Sequence, residues 1–403
     1  MYYGWRVVGS AFIAQLFVVG YFTYAVSLLV EPIRSEFGVS LEQVMYSLTA
    51  ATFVGLFMQP IGGILIDRYS VRTLMAIGAL LYALGLYAAA NSASLVQYIV
   101  FFALTMAIAN AMVGSLSASA VISRWFTASR GRALGIAAIG TSVGGVIIPA
   151  LISYWLGSVG WRGALENLAL AVLVIVRPVV IIGIRSHPAD VALMAEPTPA
   201  GVAQAKDEGL DMAGILRKPA FWFLGLSLGL LFSAYGAVLS NLTPYTINLG
   251  GSKEQASTLI MAVAISGLVG KILFGLAADK FSLRAALWAA QALVALAFLT
   301  LAQATSQPPM ILGASLLGLA AGGMLPVWGA LMAQVFGLAS YGRAMGLMGP
   351  LITLCVMPSY TLIGRLVDTY ASYTPALYLV TGVCLAAALL LLPLRIPHTI
   401  SAD

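Results

Sequence analysis

Apolar residues run through this chain in long stretches separated by short polar joints. Each run is roughly 20 residues, the length an α-helix needs to cross the hydrocarbon core of a bilayer. Twelve such spans are predicted: 7–30, 44–66, 73–90, 95–122, 132–157, 164–185, 219–248, 256–278, 284–303, 308–336, 343–366 and 374–393. A membrane barrel would need strands of alternating polarity, and that pattern is absent. A helix satisfies its own backbone, so a helical bundle is the spanning structure that remains. The expectation is an all-α membrane protein with twelve transmembrane helices in two pseudo-symmetric six-helix bundles.

The division into two comes from one polar stretch and from a repeat. Residues 186–218 hold Pro188, Pro197, Pro199, Gly201, Lys206, Asp207, Glu208 and Asp211, the composition of a linker. The predicted domains are therefore 1–185, a linker at 186–218, and 219–403. Gly63-Ile-Leu-Ile-Asp67-Arg68-Tyr69-Ser70-Val-Arg72 returns as Gly275-Leu-Ala-Ala-Asp279-Lys280-Phe281-Ser282-Leu-Arg284, 212 positions on. Pro32 and Gly38 return as Pro244 and Gly250 at the same offset. Gly131-Arg132-Ala-Leu-Gly135 returns as Gly342-Arg343-Ala-Met-Gly346 at an offset of 211. Parallel duplication of a membrane bundle places a binding site between the halves, near the bilayer middle.

Composition agrees with lipid as the solvent. Hydrophobic residues make up 61% of the chain and charged ones 8%, against about 25% charge in a soluble domain. With both termini cytoplasmic, fourteen of the twenty Lys and Arg fall inside and four outside, and Arg177 and Lys271 fall within spans. The expected location is the cell (inner) membrane. The net charge of +6 then records orientation and does not argue for nucleic acid. No cleavable signal peptide is expected, because the first run is long and lacks a small-residue cleavage site. Cys355 and Cys384 both lie in spans, so neither a disulfide framework nor a metal site is expected. No cofactor is implied, and there is no phosphate loop to bind ATP.

With these features the chain resembles the major facilitator superfamily of transporters over essentially its whole length. The Gly-x-x-x-Asp-Arg/Lys loop is that superfamily's marker between helices two and three and between eight and nine. Gly4-Trp5-Arg6-Val, Arg124-Trp125-Phe126 with Arg130-Gly131-Arg132-Ala-Leu-Gly135, and Gly160-Trp161-Arg162 resemble the branch of monocarboxylate transporters and oxalate:formate antiporters. The resemblance implies a secondary transporter, not an enzyme. It implies rocking of two bundles about a central site, and a monomer as the default state.

Gly63 and Gly275 are expected where a neighbouring helix approaches closely. Asp67 and Asp279 are expected to accept hydrogen bonds from a helix N-terminus of the other half, closing the cytoplasmic side. Arg68, Arg72, Arg132, Lys280, Arg284 and Arg343 are read as gating cations or as positive-inside anchors. Lys271 lies four residues before Gly275, well inside its span. A charge there costs about 2.5–3.5 kcal/mol on insertion scales, so it is expected to face a polar cavity. In the resembled carriers this position is an Arg that binds the substrate carboxylate. A lysine supplies the charge without the planar fork. Their acid one turn earlier is Gly267 here, and their second cation in helix eleven is missing. One cavity cation suits a small organic monoanion, with protons or a counter-anion as the coupled species. Tyr24, Asn110, Ser117, Tyr235, Asn241 and Trp328 are further candidates for the cavity wall. Asn110, Gly114 and Ser117 are expected on one face by i, i+4, i+7 spacing. Arg177 is read as snorkelling toward Arg185 and the headgroups. The rival readings are a carrier or exporter of neutral or amphiphilic molecules, and a non-transporting sensor.

Overall fold

The computed structural model describes residues 2–126, 129–191, 210–278, 282–337 and 340–394. Among these residues the chain is helical throughout, with no strand. It falls into two compact units, Met1–Gln204 and Ala205–Asp403.

In the first unit, α1 (Gly4–Gly20) passes through a π turn (Tyr21–Ala25) into α2 (Val26–Phe37). Then come α3 (Leu41–Arg68), α4 (Val71–Ala90), α5 (Leu95–Met112) and α6 (Ser115–Trp125). The helix α7 (Arg130–Ala171) continues through a second π turn (Val172–Val176) into α8 (Arg177–Gly183). In the second unit, α9 (Met212–Arg217) precedes α10 (Pro219–Ser240), α11 (Leu242–Asn248) and α12 (Lys253–Ala278). These are followed by α13 (Leu283–Ala302), α14 (Gln307–Phe336), α15 (Tyr341–Tyr370) and α16 (Thr374–Leu389).

Ten helical stretches are long and apolar enough to span a membrane, and Thr374–Leu389 is a shorter apolar helix. The stretch Gly131–Gly183 has 53 residues, twice what a crossing needs. Its backbone leaves helical geometry at Gly160, where φ is +71°. That reversal separates predicted spans five and six, which are therefore joined by a turn and not by the six-residue loop the sequence suggested. With it the fold has twelve transmembrane helices.

Two predicted spans are broken inside. Span four, expected to be continuous over 95–122, stops at Met112 and restarts at Ser115. Span seven, expected over 219–248, breaks at Asn241. Both breaks sit where a polar side chain satisfies the freed backbone. Ser117 Oγ donates to the Ala111 carbonyl at 3.3 Å, and Asn241 Nδ2 donates to the Ala237 carbonyl at 2.9 Å.

The repeat explains itself as caps. Ser40 and Ser252, 212 apart, both form capping boxes: each hydroxyl accepts from the amide of Gln43 or Gln255, and each Gln Oε1 accepts in return. Ser70 and Ser282 of the duplicated loop are the N-caps of α4 and α13. Gly38 and Gly250 both have positive φ, +61° and +81°, which only glycine adopts at no steric cost.

Within each unit, small residues set how closely helices cross. Gly20 faces Gly144 across the α1–α7 contact, and a Cβ on Gly20 would come within 2.8 Å of the Gly144 Cα. Glycine at such crossings lets backbones touch where lipid supplies no hydrophobic drive for association. Gly20→Leu should therefore lower the thermal midpoint of the purified protein, at a cost of about 1–3 kcal/mol or more from overpacking. Gly9→Leu should leave it nearly unchanged, since a Cβ at Gly9 meets nothing within 4 Å. Equal midpoints for the two variants would refute the close crossing.

Candidate functional site

The duplicated loops are tied to their own units. Arg72, at the start of α4, donates from Nε to the Ile181 carbonyl at 2.8 Å. Its amide donates to Ser186 Oγ, which also bonds Ser70 Oγ at 2.9 Å. Arg284, 212 positions later, donates to the Leu394 carbonyl at 3.0 Å and the Leu392 carbonyl at 2.9 Å, and stacks on Trp288 at 4.4 Å. Ile181 and Leu392–Leu394 end the sixth span of their respective units. The two arginines thus do the same work twice, supplying fixed donors to carbonyls that a helix end leaves open.

The other gating candidates divide. Arg68 is the exposed last residue of α3. Arg132 lies over the Trp5 ring at 5.7 Å. Arg343 donates to the Leu210 carbonyl at 2.8 Å, next to Ser340, whose hydroxyl accepts from the Leu210 amide. Gly63 corrects an expectation: a Cβ there would meet nothing within 4 Å, whereas Gly62 beside it lies against Ala111. Close packing in this part of α3 therefore belongs to Gly62. Asp279 and Lys280 lie outside the described residues, and for Asp67 and Gly275 only the helical backbone is described.

In the first unit, Gln15 of α1 accepts from Ser115 Oγ at 3.0 Å. The break before Ser115 lets it turn toward α1. The same break ends the single face expected for Asn110, Gly114 and Ser117, because the 3.6-residue period does not carry through it. Asn110 is half-buried at the end of α5, and Ser117 is fully buried and engaged with the backbone of Ala111. Tyr24 is buried within the π turn, a helix variant frequent at functional positions. No residue pattern in the sequence announces that turn.

In the second unit, Lys271 is half-buried on α12. Its amide lies against α14, where a Cβ on Gly322 would come within 2.6 Å of it. Six residues along α14, Trp328 meets Phe232 of α10 edge-on, with ring centroids 6.0 Å apart. The Trp328 indole Nε1 is buried and finds no acceptor among the described residues. Tyr235 is half-buried one turn beyond Phe232. Asn241 stands apart: it is 1% exposed and accepts from Tyr373 Oη at 3.2 Å, in a small crevice with Tyr245, Leu301 and Leu377. Thus α14 meets the backbone of Lys271 at Gly322 and α10 at Trp328, while Asn241 is bound into the break of its own span.

The branch markers prove to be end-fasteners of the first unit. Trp125 Nε1 donates to the Arg185 carbonyl at 2.9 Å, Arg124 donates to the Ile66 carbonyl at 2.9 Å, and Trp5 packs on Phe126 at 5.0 Å. At the unit's other end Trp161 donates to Glu36, and Arg162 pairs with Glu36 at 2.6 Å while donating to the Ala90 and Ser92 carbonyls.

The sequence profile of the Major Facilitator Superfamily matches residues 11–250 and 237–402. The chain belongs to that superfamily. Monocarboxylate transporter 12 of Rattus norvegicus is 24% identical over 406 residues, covering 94% of this chain and 82% of that one. The agnestins efflux protein AgnL12 of Paecilomyces divaricatus is 26% identical over 310 residues, covering 77% and 68%. A bacterial homolog of the human lysosomal transporter Spinster, in an inward-facing and unoccupied conformation, shares the fold with a TM-score of 0.71 at 16% identity. That match covers 97% of this chain and 95% of the other. This superfamily member resembles the monocarboxylate transporter branch in sequence. It is an integral membrane protein that moves small molecules, and it is not an enzyme.

The paired arginines of this superfamily member separate fastening from gating. Arg72→Gln and Arg284→Gln should each lower the thermal midpoint, through a stability loss of about 1–2 kcal/mol for half-exposed charged donors. An unchanged midpoint with altered transport would mean that these side chains act in the gate.

Proposed function

We propose that this protein is a secondary transporter of a small organic monoanion, a monocarboxylate, working by alternating access with proton symport or anion exchange. The reading rests above all on Lys271, a cation placed within a spanning helix. Insertion scales put the cost of such a charge at about 2.5–3.5 kcal/mol near the bilayer centre. A cavity that admits a carboxylate offsets that cost by giving the ammonium an anionic partner. Trp328 supports the same reading. A buried indole N–H without an acceptor costs about 1–3 kcal/mol, and a substrate oxygen would supply the acceptor. Tyr24, Asn110 and Tyr235 are the next wall residues to test, whereas the backbone bonds of Ser117 and the Tyr373 bond of Asn241 favour structural roles. Asp67 and Asp279 remain the proposed gate acids. The distribution of Lys and Arg supports a cell-membrane location with both termini cytoplasmic, and the protein is proposed to act as a monomer.

A second reading has its own support. The Trp328–Phe232 edge contact offers an aromatic wall, and similarity to an efflux protein fits a neutral or amphiphilic cargo.

Uptake into proteoliposomes separates the two. Lys271→Ala should abolish carboxylate uptake while the melting profile stays that of a folded protein, and Lys271→Arg should retain part of it. Undiminished uptake by Lys271→Ala would remove the anion reading. Competition by uncharged aromatic compounds, and not by carboxylates, would favour the second. Trp328→Phe should weaken carboxylate binding about 10- to 150-fold, the worth of one hydrogen bond to a charged group, with apolar contact kept.

A further inference from the structure

Two guanidinium groups meet where the sixth span ends in the first unit, and a third arginine lies one turn earlier in that span. The carbonyl of Ile181 accepts from Arg72 Nε at 2.8 Å and from Arg185 Nη1 at 3.1 Å. Arg177 precedes Ile181 by four residues and so lies one turn away on the same helical face. It is half-buried, and its Nε is buried with no acceptor among the described residues. None of the three arginines has a carboxylate partner among the described residues; the ion pairs Arg34–Glu31 and Arg162–Glu36 involve other cations. Asp190, five residues from Arg185, accepts from the His187 amide and is exposed, and Asp67, five residues from Arg72, lies outside the described side chains. Along the same span Leu170, Val174 and Ile182 are 59%, 63% and 70% exposed, a surface that in a bilayer meets acyl chains.

We infer that Arg177, Arg72 and Arg185 form a binding site for the phosphate of an anionic phospholipid. Arg72 donates from Nε and Arg185 from Nη1 to backbone carbonyls of this helix end, and a guanidinium keeps further donors in a fixed plane. A headgroup phosphate would supply the missing acceptor for Arg177 and offset the three like charges. The exposed apolar residues of the span would hold its chains, which a free phosphate ion lacks. At the repeat offset of 212 Arg284 matches Arg72, but the positions matching Arg177 and Arg185 are Leu389 and Pro397. The site does not depend on the cargo proposed above.

The test uses the purified full chain, delipidated in detergent, with native mass spectrometry and thermal melting. Phosphatidylglycerol should give retained adducts and raise the midpoint, while phosphatidylcholine and inorganic phosphate should not. Arg177→Gln should weaken phosphatidylglycerol binding about fivefold, the worth of one basic group at an anionic leaflet. Arg177→Lys, which keeps the charge, should stay nearer to wild type and shows whether loss of folding is the cause. Equal retention of the two lipids by the wild type would overturn the site, as would an Arg177→Gln variant that binds phosphatidylglycerol like the wild type. A midpoint rise of the same size with inorganic phosphate would overturn the lipid as its occupant.

Discussion

A carbonyl released at the end of a helix, or at a break within it, has no water to turn to inside a bilayer. Several of the described polar side chains answer that one constraint. Arg72, Arg162 and Arg284 each deliver donors to carbonyls at helix ends. Ser117 and Asn241 do the same at the two internal breaks. In a chain with only 8% charged residues, this accounting uses up much of the polar inventory and narrows what remains for cargo. Trp328 stands out because its indole N–H has no acceptor among the described residues, and Lys271 because it puts a charge within a span.

The twelve-helix arrangement could be read from run length alone, because the bilayer fixes how many apolar residues a crossing needs. The superfamily could be read from the duplicated loop, since Asp67, Ser70 and Arg72 recur with their spacing intact. What the repeat meant was less legible. Ser40, Gly38 and Arg72 recur as caps and ties; the caps are local, but the tie is not, since Arg72 and Ile181 are 109 residues apart. The broken spans escaped because Gly114 and Asn241 sit in apolar surroundings where hydropathy averages over them. A glycine pair misled in a different way: Gly62 and Gly63 look alike as letters, and only the helix phase decides that Gly62 meets Ala111.

The branch markers carry a related lesson. Gly4-Trp5-Arg6, Arg124-Trp125-Phe126 and Gly160-Trp161-Arg162 look like chemistry because they join cations to aromatics. Their contacts are fasteners: Trp125 on the Arg185 carbonyl, Trp5 on Phe126, Trp161 and Arg162 on Glu36. A motif shared within a branch can thus mark how a bundle is closed at its ends.

The π turn at Tyr21–Ala25 has a consequence for chain length. Val26 donates to the Tyr21 carbonyl, a reach of five residues in place of four, so the turn absorbs one residue more than a regular helix would. Elsewhere in a span, removing one residue rotates everything beyond it by about 100° and turns apolar positions away from lipid. Within Tyr21–Ala25 a deletion relaxes the turn to ordinary helix and keeps α2 in phase with α1. The first span therefore holds one place where its residue count and the bilayer thickness are uncoupled.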